Sequence, residues 1–536
     1  MTNTELEKRL ESLALEDLAG QVLCYPVYDK DNPADVEEVF RAIRPGGIFI
    51  AHMSAQKVKM YAEMANKYAK APVIVAADIE FGVGCALAEY PKLPQPMAWG
   101  AAGDEKLVRR AGELTGAISR KHGIHWSFAP VVDINYNKNS PITNIRAVSD
   151  SPELVWRMAS AYSVGMQKNG YMAAGTKHFP GDGVDDRNQH FCTTVNTFSQ
   201  DEWWNTYGMV YRKMIESGTS SIMAAHIALP AFQEGESEDP LPCVLSAKLM
   251  TELLRERLKF DGCIVSDAMS MVGACSRIET QKLAVSFLRA GGDMVLFPEK
   301  TDYENILAAV KTGELSRERL LSAVRRVLRL KNSVRLFEDQ SIIQEELKDI
   351  SESEYCEVAQ QIADKSIKVI RNDHVFPLDK SKVKTALLLH IGEHKKESDK
   401  TVFLPLERGL QARGIRVKAI WQPSHYDIEK SIEDYDLVLI NAKFVATDLA
   451  CGASMRIGWD NIMLFWRGYI FKNKNLVFTS FSDPYKLYEL PFLKTYINCF
   501  SPSEFSQRAL IKLLFGEIEA TAKNPINFPP FFNFGE

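Results

Sequence analysis

The sequence predicts a (β/α)8 barrel of the TIM type followed by a smaller open α/β sandwich domain with a mostly parallel sheet. Three observations carry that expectation. Eight short, β-branched apolar runs alternate with longer amphipathic stretches over residues 1–335. A second, shorter alternation follows residue 384. The full 536 residues also exceed what a single core normally accommodates.

In chain order the strand runs are GQVLCY (20–25), GGIFIA (46–51), VIVAAD (73–78), HWSFAPVVD (125–133), MAAGTKHFPG (172–181), SSIMAAHIAL (220–229), DGCIVSDA (261–268) and GGDMVLFP (291–298). Segments such as QKVKMYAEMANKYAK (56–70), EKLVRRAGELTGAISRKHG (105–123) and AKLMTELLRERLK (247–259) lie between them. Each places apolar residues at i, i+3 and i+4, with charges elsewhere. Strand–helix repetition of this kind builds a parallel barrel over 1–335, distorted where the spacing is irregular. Residues 336–365 are acidic and helical in pattern and read as a linking segment. From 366 to 536 the runs KTALLLHIG (384–392), IRVKAIWQ (415–422), LVLINAK (437–443), NLVFTSFSD (475–483) and TYINCFS (495–501) predict the smaller domain. The closing NPINFPPFFNFGE is expected to pack as an extended tail.

Composition narrows the function. The chain is 46% hydrophobic and 25% charged, with a formal net charge of −5 and no long basic run. That balance excludes nucleic acid and anionic membrane as natural partners. The N-terminus lacks the basic and apolar regions of a signal peptide, and no stretch has the apolar length of a membrane span. Nine Cys are spread singly without a C-x-x-C pair. They fit thiols in a reducing compartment, so the cytoplasm is expected. The ten His and the carboxylates show no zinc-type ligand spacing, so neither metal nor organic cofactor is expected.

Barrel enzymes carry their chemistry at the C-terminal ends of the strands, whose loops meet at one mouth. The predicted strands end in Asp78, Asp133, Lys177 with His178, His226 and Asp267. An Asp after a strand also serves as a helix N-cap. Several converging on one mouth point instead to a site handling a polar substrate. The residues alone give a barrel enzyme with carboxylates and a Lys-His pair.

The segment KHFPGDGVDDRNQH (177–190) resembles the family 3 glycoside hydrolases, whose barrels carry a Lys-His-Phe-Pro-Gly run after the fifth strand. AADIE around Asp78, FAPVVDIN (128–135) and CIVSDAM around Asp267 follow that family's order, and the second domain is similar to its second domain. The resemblance implies a retaining glycosidase acting on a carbohydrate. Asp267 would be the nucleophile that forms a glycosyl-enzyme. Lys177, His178, Asp78 and Arg146 (in TNIRAVSD) would bind sugar hydroxyls.

Retaining hydrolysis needs a second group to protonate the leaving oxygen and later deprotonate water. One branch of the family, the bacterial β-N-acetylglucosaminidases, uses a His that ends an Asp-x-His signature thirteen positions beyond the Lys. Here that position is His190, but Asn188 stands where the branch has Asp. In an extended loop, residues two apart share a side, so Asn188 can accept from the ring and set its tautomer. It supplies no negative charge, so a slower enzyme with an acid-shifted pH profile is expected. Asp182, Asp185 and Asp186 read as ordinary loop residues.

The branch implies a terminal N-acetyl-β-D-glucosaminide as substrate. Relatives that cleave cell-wall fragments carry an Arg a few residues after the D-x-E segment; FGVGCALAEYP has none. A β-N-acetylglucosaminide phosphorylase is a second reading, because His and Asn repel phosphate less than carboxylates do. A β-glucosidase with its acid from elsewhere, and a sugar-binding homologue with impaired catalysis, are the others.

Overall fold

The computed structural model describes residues 1–392, 397–429, 432–444 and 457–536. They group into two compact units. The first comprises Met1–Lys92, Val108–Ile134 and Val155–Tyr355, and the second Leu93–Leu107, Asn135–Leu154 and Cys356–Glu536.

The first unit holds ten strands: β1 (Leu23–Val27), β2 (Gly47–Ile50), β3 (Ile74–Ala77), β4 (Trp126–Ser127), β5 (Ala173–Phe179), β6 (Thr194–Val195), β7 (Ser221–Ala224), β8 (Ile227–Ala228), β9 (Cys263–Ser266) and β10 (Val295–Leu296). Eight of them form one parallel sheet in the order β10-β1-β2-β3-β4-β5-β7-β9. A parallel bridge between Val265 and Met294 joins its two ends into a barrel. β6 and β8 form a separate parallel ladder on the loops after β5 and β7.

Alternate strand residues fill the barrel. Ile74 and Ala76, Trp126 and Phe128, and Cys263 and Val265 meet in one buried cluster with Phe49 and Met223. Phe49 and Phe128 stack with centroids 5.9 Å apart, and the Trp126 indole N–H donates to Ser221 Oγ at 2.7 Å. Outside, the helices Glu105–Lys121 and Pro152–Met166 approach closely at glycines. A Cβ on Gly112, Gly116 or Gly165 would stand within 2.4 Å of a backbone carbonyl of the facing helix.

One barrel helix carries a buried lysine. Lys331 donates to Gln21 Oε1 at 2.6 Å with its side chain fully buried, and burial pushes its ammonium down to about 7. Between that value and its ordinary one the unfolded chain holds a proton that the folded chain lacks, so stability rises with pH across the window. Lys331→Met removes this contribution. Between pH 7 and about pH 9 the wild type should gain denaturant resistance relative to Lys331→Met, by about 1.4 kcal/mol per pH unit at most. Parallel pH dependences of the two proteins would contradict a neutral Lys331.

The second unit has a six-stranded sheet: β11 (Lys368–Arg371), β12 (Thr385–Gly392), β13 (Arg416–Trp421), β14 (Leu437–Lys443), β15 (Leu476–Ser480) and β16 (Tyr496–Asn498). The order is β11-β16-β15-β14-β12-β13, parallel throughout except for β11 against β16. β11 is the strand that periodicity alone did not single out, because KVIR is short and half-buried at an edge. Phe528 and Phe532 of the C-terminal tail join this unit's core. So do Met97, Ala98, Ala101 and Ile145, which sequence order had assigned to the barrel region 1–335. Sequence position puts 93–107 and 135–154 inside the barrel; their apolar side chains put them with the second sheet. The helices of the expected linking segment are Gln340–Glu346 and Glu352–Ser366, and the boundary between units falls within the second.

Candidate active site

The loops at the C-terminal ends of β3, β4, β5, β7 and β9 bring together most of the residues singled out from sequence. β5 delivers Lys177 and His178 in succession, and the two side chains take different partners. Lys177 Nζ lies 2.7 Å from Asp78 Oδ1 and 2.7 Å from Glu80 Oε1. The Lys side chain is 4% exposed and that of Asp78 49%, so Glu80 anchors the ammonium from within while Asp78 opens to solvent. A buried cation between two carboxylates is a rigid donor, suited to holding hydroxyls in place.

His178 Nδ1 is 2.6 Å from Asp133 Oδ2, and its backbone N–H donates to Asp133 Oδ1 at 3.2 Å. Burial pushes the Asp133 carboxyl up; the His178 ring and three hydrogen bonds push it down further, so it stays below the usual range. An ionised Asp133 requires the proton on Nδ1 and leaves Nε2 for other partners.

The loop after β5 carries Asn188 and His190. Asn188 Oδ1 lies 2.7 Å from His190 Nδ1 and accepts the His190 backbone N–H at 2.9 Å. A backbone N–H can only donate, so the atom facing it is the amide oxygen, and the ring must carry its proton on Nδ1. Nε2 is then the nitrogen able to exchange a proton. The segment is not the extended loop expected from sequence. It is a turn, in which Asn188 O also accepts from Phe191 N at 3.0 Å. Side-chain capping by Asn favours such a turn over extension. Asp185 does not substitute for the missing carboxylate: it binds Arg187 and the Val195 N–H. Asp186 is exposed.

β9 ends at Ser266, and Asp267 follows. Its N–H donates to Ala224 O at 2.7 Å, and its Oδ1 accepts the Ala268 N–H at 2.8 Å. Burial pushes its carboxyl up, whereas His226, His178, His190 and the Ala268 N–H push it down, and the net is a carboxyl below the usual range. Burial also pushes His226 down, so near neutrality that ring acts on Asp267 as an uncharged dipole. His226 Nε2 in turn donates to Ala268 O at 2.9 Å. The His190 loop lies against the Asp267 loop, with Val272 N–H donating to His190 O at 3.1 Å.

Arg146, the remaining sugar-binding candidate, belongs to the second unit. It ends the turn Asn144–Arg146, and its Nη1 donates to Ile142 O at 3.1 Å. Glu80 was not among the sequence candidates, although it stands in the same D-x-E segment. Among the described residues, no group of three or more His, Cys, Asp or Glu is arranged to hold a metal ion.

The uncharged partner of His190 carries a testable consequence. Asn188→Asp adds a carboxylate against Nδ1 and stabilises the imidazolium. The basic limb of kcat/KM, which reports loss of the acid's proton, should move up by about one pH unit or more. An unchanged limb would contradict this account of the pair.

With this geometry in hand, comparison with known proteins defines the class. Residues 15–330 match the glycosyl hydrolase family 3 N-terminal domain, and the chain belongs to that family. It is a glycosidase acting on β-linked sugars. It is 29% identical over 536 residues to a β-N-acetylglucosaminidase/β-glucosidase of Cellulomonas fimi, covering 97% of this chain and 94% of that one. It is 30% identical over 289 residues to a β-hexosaminidase of Methylobacillus flagellatus, covering 52% of this chain and 80% of that protein. A solved β-glucoside phosphorylase, BglX, bound to 2FGlc superposes with a TM-score of 0.89 at 30% identity, covering 98% and 96% of the two chains. A family 3 β-N-acetylglucosaminidase of Paenibacillus sp. superposes with a TM-score of 0.82 at 25% identity, covering 96% and 99%. The barrel and the second mixed sheet are those of these neighbours. No helix among the described residues is long and apolar enough to cross a membrane.

Proposed function

We propose that the enzyme removes a terminal β-linked sugar, N-acetyl-β-D-glucosamine first among the candidates, through a glycosyl-enzyme on Asp267 with His190 as acid and base. The observation that carries this reading is the Asn188–His190 pair held on the Asp267 loop by the Val272 N–H. Asp78, Lys177 and His178 bind hydroxyls of the sugar. An Asp267 oxygen attacks C1 as the bond to the leaving oxygen breaks, and the proton on His190 Nε2 passes to that oxygen. Water then gives a proton to Nε2 and attacks C1, releasing the carboxylate. The low carboxyl range of Asp267 supports its part, since the nucleophile must be ionised beside a developing cation. The scatter of nine single Cys without a C-x-x-C pair suits a reducing compartment, and we place the enzyme in the cytoplasm.

A specific observation favours a second reading, phosphorolysis. Asn188 puts an uncharged amide against His190 Nδ1, and two similar solved structures are β-glucoside phosphorylases. An incoming phosphate meets less repulsion there and needs no base, and the product is a sugar 1-phosphate. A panel of p-nitrophenyl glycosides, including N-acetyl-β-D-glucosaminide and β-D-glucoside, with and without phosphate, tests both readings. Turnover of the glucosaminide without phosphate supports hydrolysis. Acceleration by phosphate with sugar 1-phosphate as product supports the second reading, and a strong preference for the glucoside contradicts the proposed sugar.

A further inference from the structure

Gln189 stands between Asn188 and His190, and its side chain is directed away from theirs into a buried network. Its Nε2 donates to Asp182 Oδ2 at 3.2 Å, and its Oε1 accepts the His226 backbone N–H at 3.3 Å. A carboxylate only accepts and a backbone N–H only donates, so the amide fits in one orientation. Both anchors lead to the functional loops. The Asp182 N–H donates to Asp133 Oδ1 at 2.8 Å, the carboxylate that holds His178. His226 Nε2 donates to the carbonyl of Ala268, the residue after Asp267.

We propose that Gln189 is a positioning residue for the reaction: its buried amide sets where the His190 loop stands relative to the Asp267 loop. The inference rests on His190 being the acid. The two loops leave little slack between them. Val272 N–H donates to His190 O at 3.1 Å, and Thr193 Oγ1 donates to Gly273 O at 2.8 Å. A Cβ at Gly273 would stand 2.4 Å from Gln189 O and 2.8 Å from His226 Cβ, so no side chain fits at this contact without moving it. With the backbone in contact on one face and the Gln189 amide tied on the other, the peptide carrying His190 has one seat. A buried amide bonded through both its nitrogen and its oxygen specifies a geometry, and losing it removes one partner each from Asp182 Oδ2 and the His226 N–H.

Leaving-group dependence reads this role directly. A general acid matters for a poor leaving group and hardly at all for 2,4-dinitrophenolate, which departs without a proton. Gln189→Met keeps the length and removes both hydrogen bonds. It should lower kcat/KM on an aryl glycoside with a poor leaving group by about 10²-fold, and leave kcat/KM on the dinitrophenyl glycoside close to wild type. Gly273→Ala displaces the same loop from the other side and should reproduce the pattern. It decides the matter if Gln189→Met does not fold by circular dichroism. Equal losses on both substrates, or no loss, would overturn the proposal. His190→Ala is measured alongside. If it shows no leaving-group dependence, the reading of His190 fails and this inference with it. If it does and Gln189→Met and Gly273→Ala do not, the inference alone fails.

Discussion

Asp267→Gly is expected to lower turnover of every aryl glycoside by at least about 10⁴-fold while leaving the barrel folded. The residue is half-buried at the end of β9, and its backbone N–H bond to Ala224 O does not need the side chain. What is lost is the carboxylate that attacks C1. Azide should then restore cleavage of a β-glycoside with a good leaving group. It fits where the carboxylate was and gives the α-glycosyl azide, because a single displacement inverts C1. Rescue with retained configuration, or residual activity within about tenfold of wild type, would remove Asp267 from the nucleophile's role.

His190→Ala is expected to have the second largest effect, and it depends on the substrate. General acid catalysis supplies about 10²- to 10⁴-fold, so kcat/KM should fall by that range on glycosides with poor leaving groups and little on the dinitrophenyl glycoside. The same residue is the base of the second step. With the dinitrophenyl glycoside the variant should therefore show a burst of phenolate followed by slow turnover, as the glycosyl-enzyme accumulates. An anionic nucleophile such as azide or phosphate needs no base and should raise the slow rate. Uniform losses across leaving groups would place the acid elsewhere.

The barrel was legible because its strands are short runs buried on both faces and bounded by amphipathic helices, a pattern that needs no knowledge of contacts. The candidate site was legible in part through order along the chain: Asp78, the Lys177-His178 pair and Asp267 follow strands, whose loops share one end of the barrel. What supports them was not. Glu80 bonds Lys177 across nearly a hundred residues, and Asp133 bonds His178 across 45. Asp133 is legible as a strand end but not as the partner of His178, and nothing local distinguishes Glu80 from a solvated carboxylate. Gln189 is a similar case, a polar residue in a polar loop whose buried partners, Asp182 and the His226 N–H, appear only in the fold. Asn188 and His190 meet through a turn, where residue spacing predicts an extended loop. The segments 93–107 and 135–154 escaped because strand order assigns them to the barrel. Packing assigns them to the second sheet, through side chains such as Met97 and Ile145 whose partners lie hundreds of residues away.

Covalent trapping tests the central claim most directly. The intact protein is incubated with an activated fluoro-β-glycoside of the sugar it turns over, 5-fluoro for an N-acetylglucosaminide and 2-fluoro for a glucoside, and the peptides are analysed by mass. The fluorine destabilises the cation-like transition states, while a good leaving group lets the first step proceed without full acid assistance, so the glycosyl-enzyme persists. The expected result is one added sugar on the peptide containing Asp267, with activity lost in step with labelling. A label on any other residue, or steady turnover without labelling, would contradict a glycosyl-enzyme at Asp267.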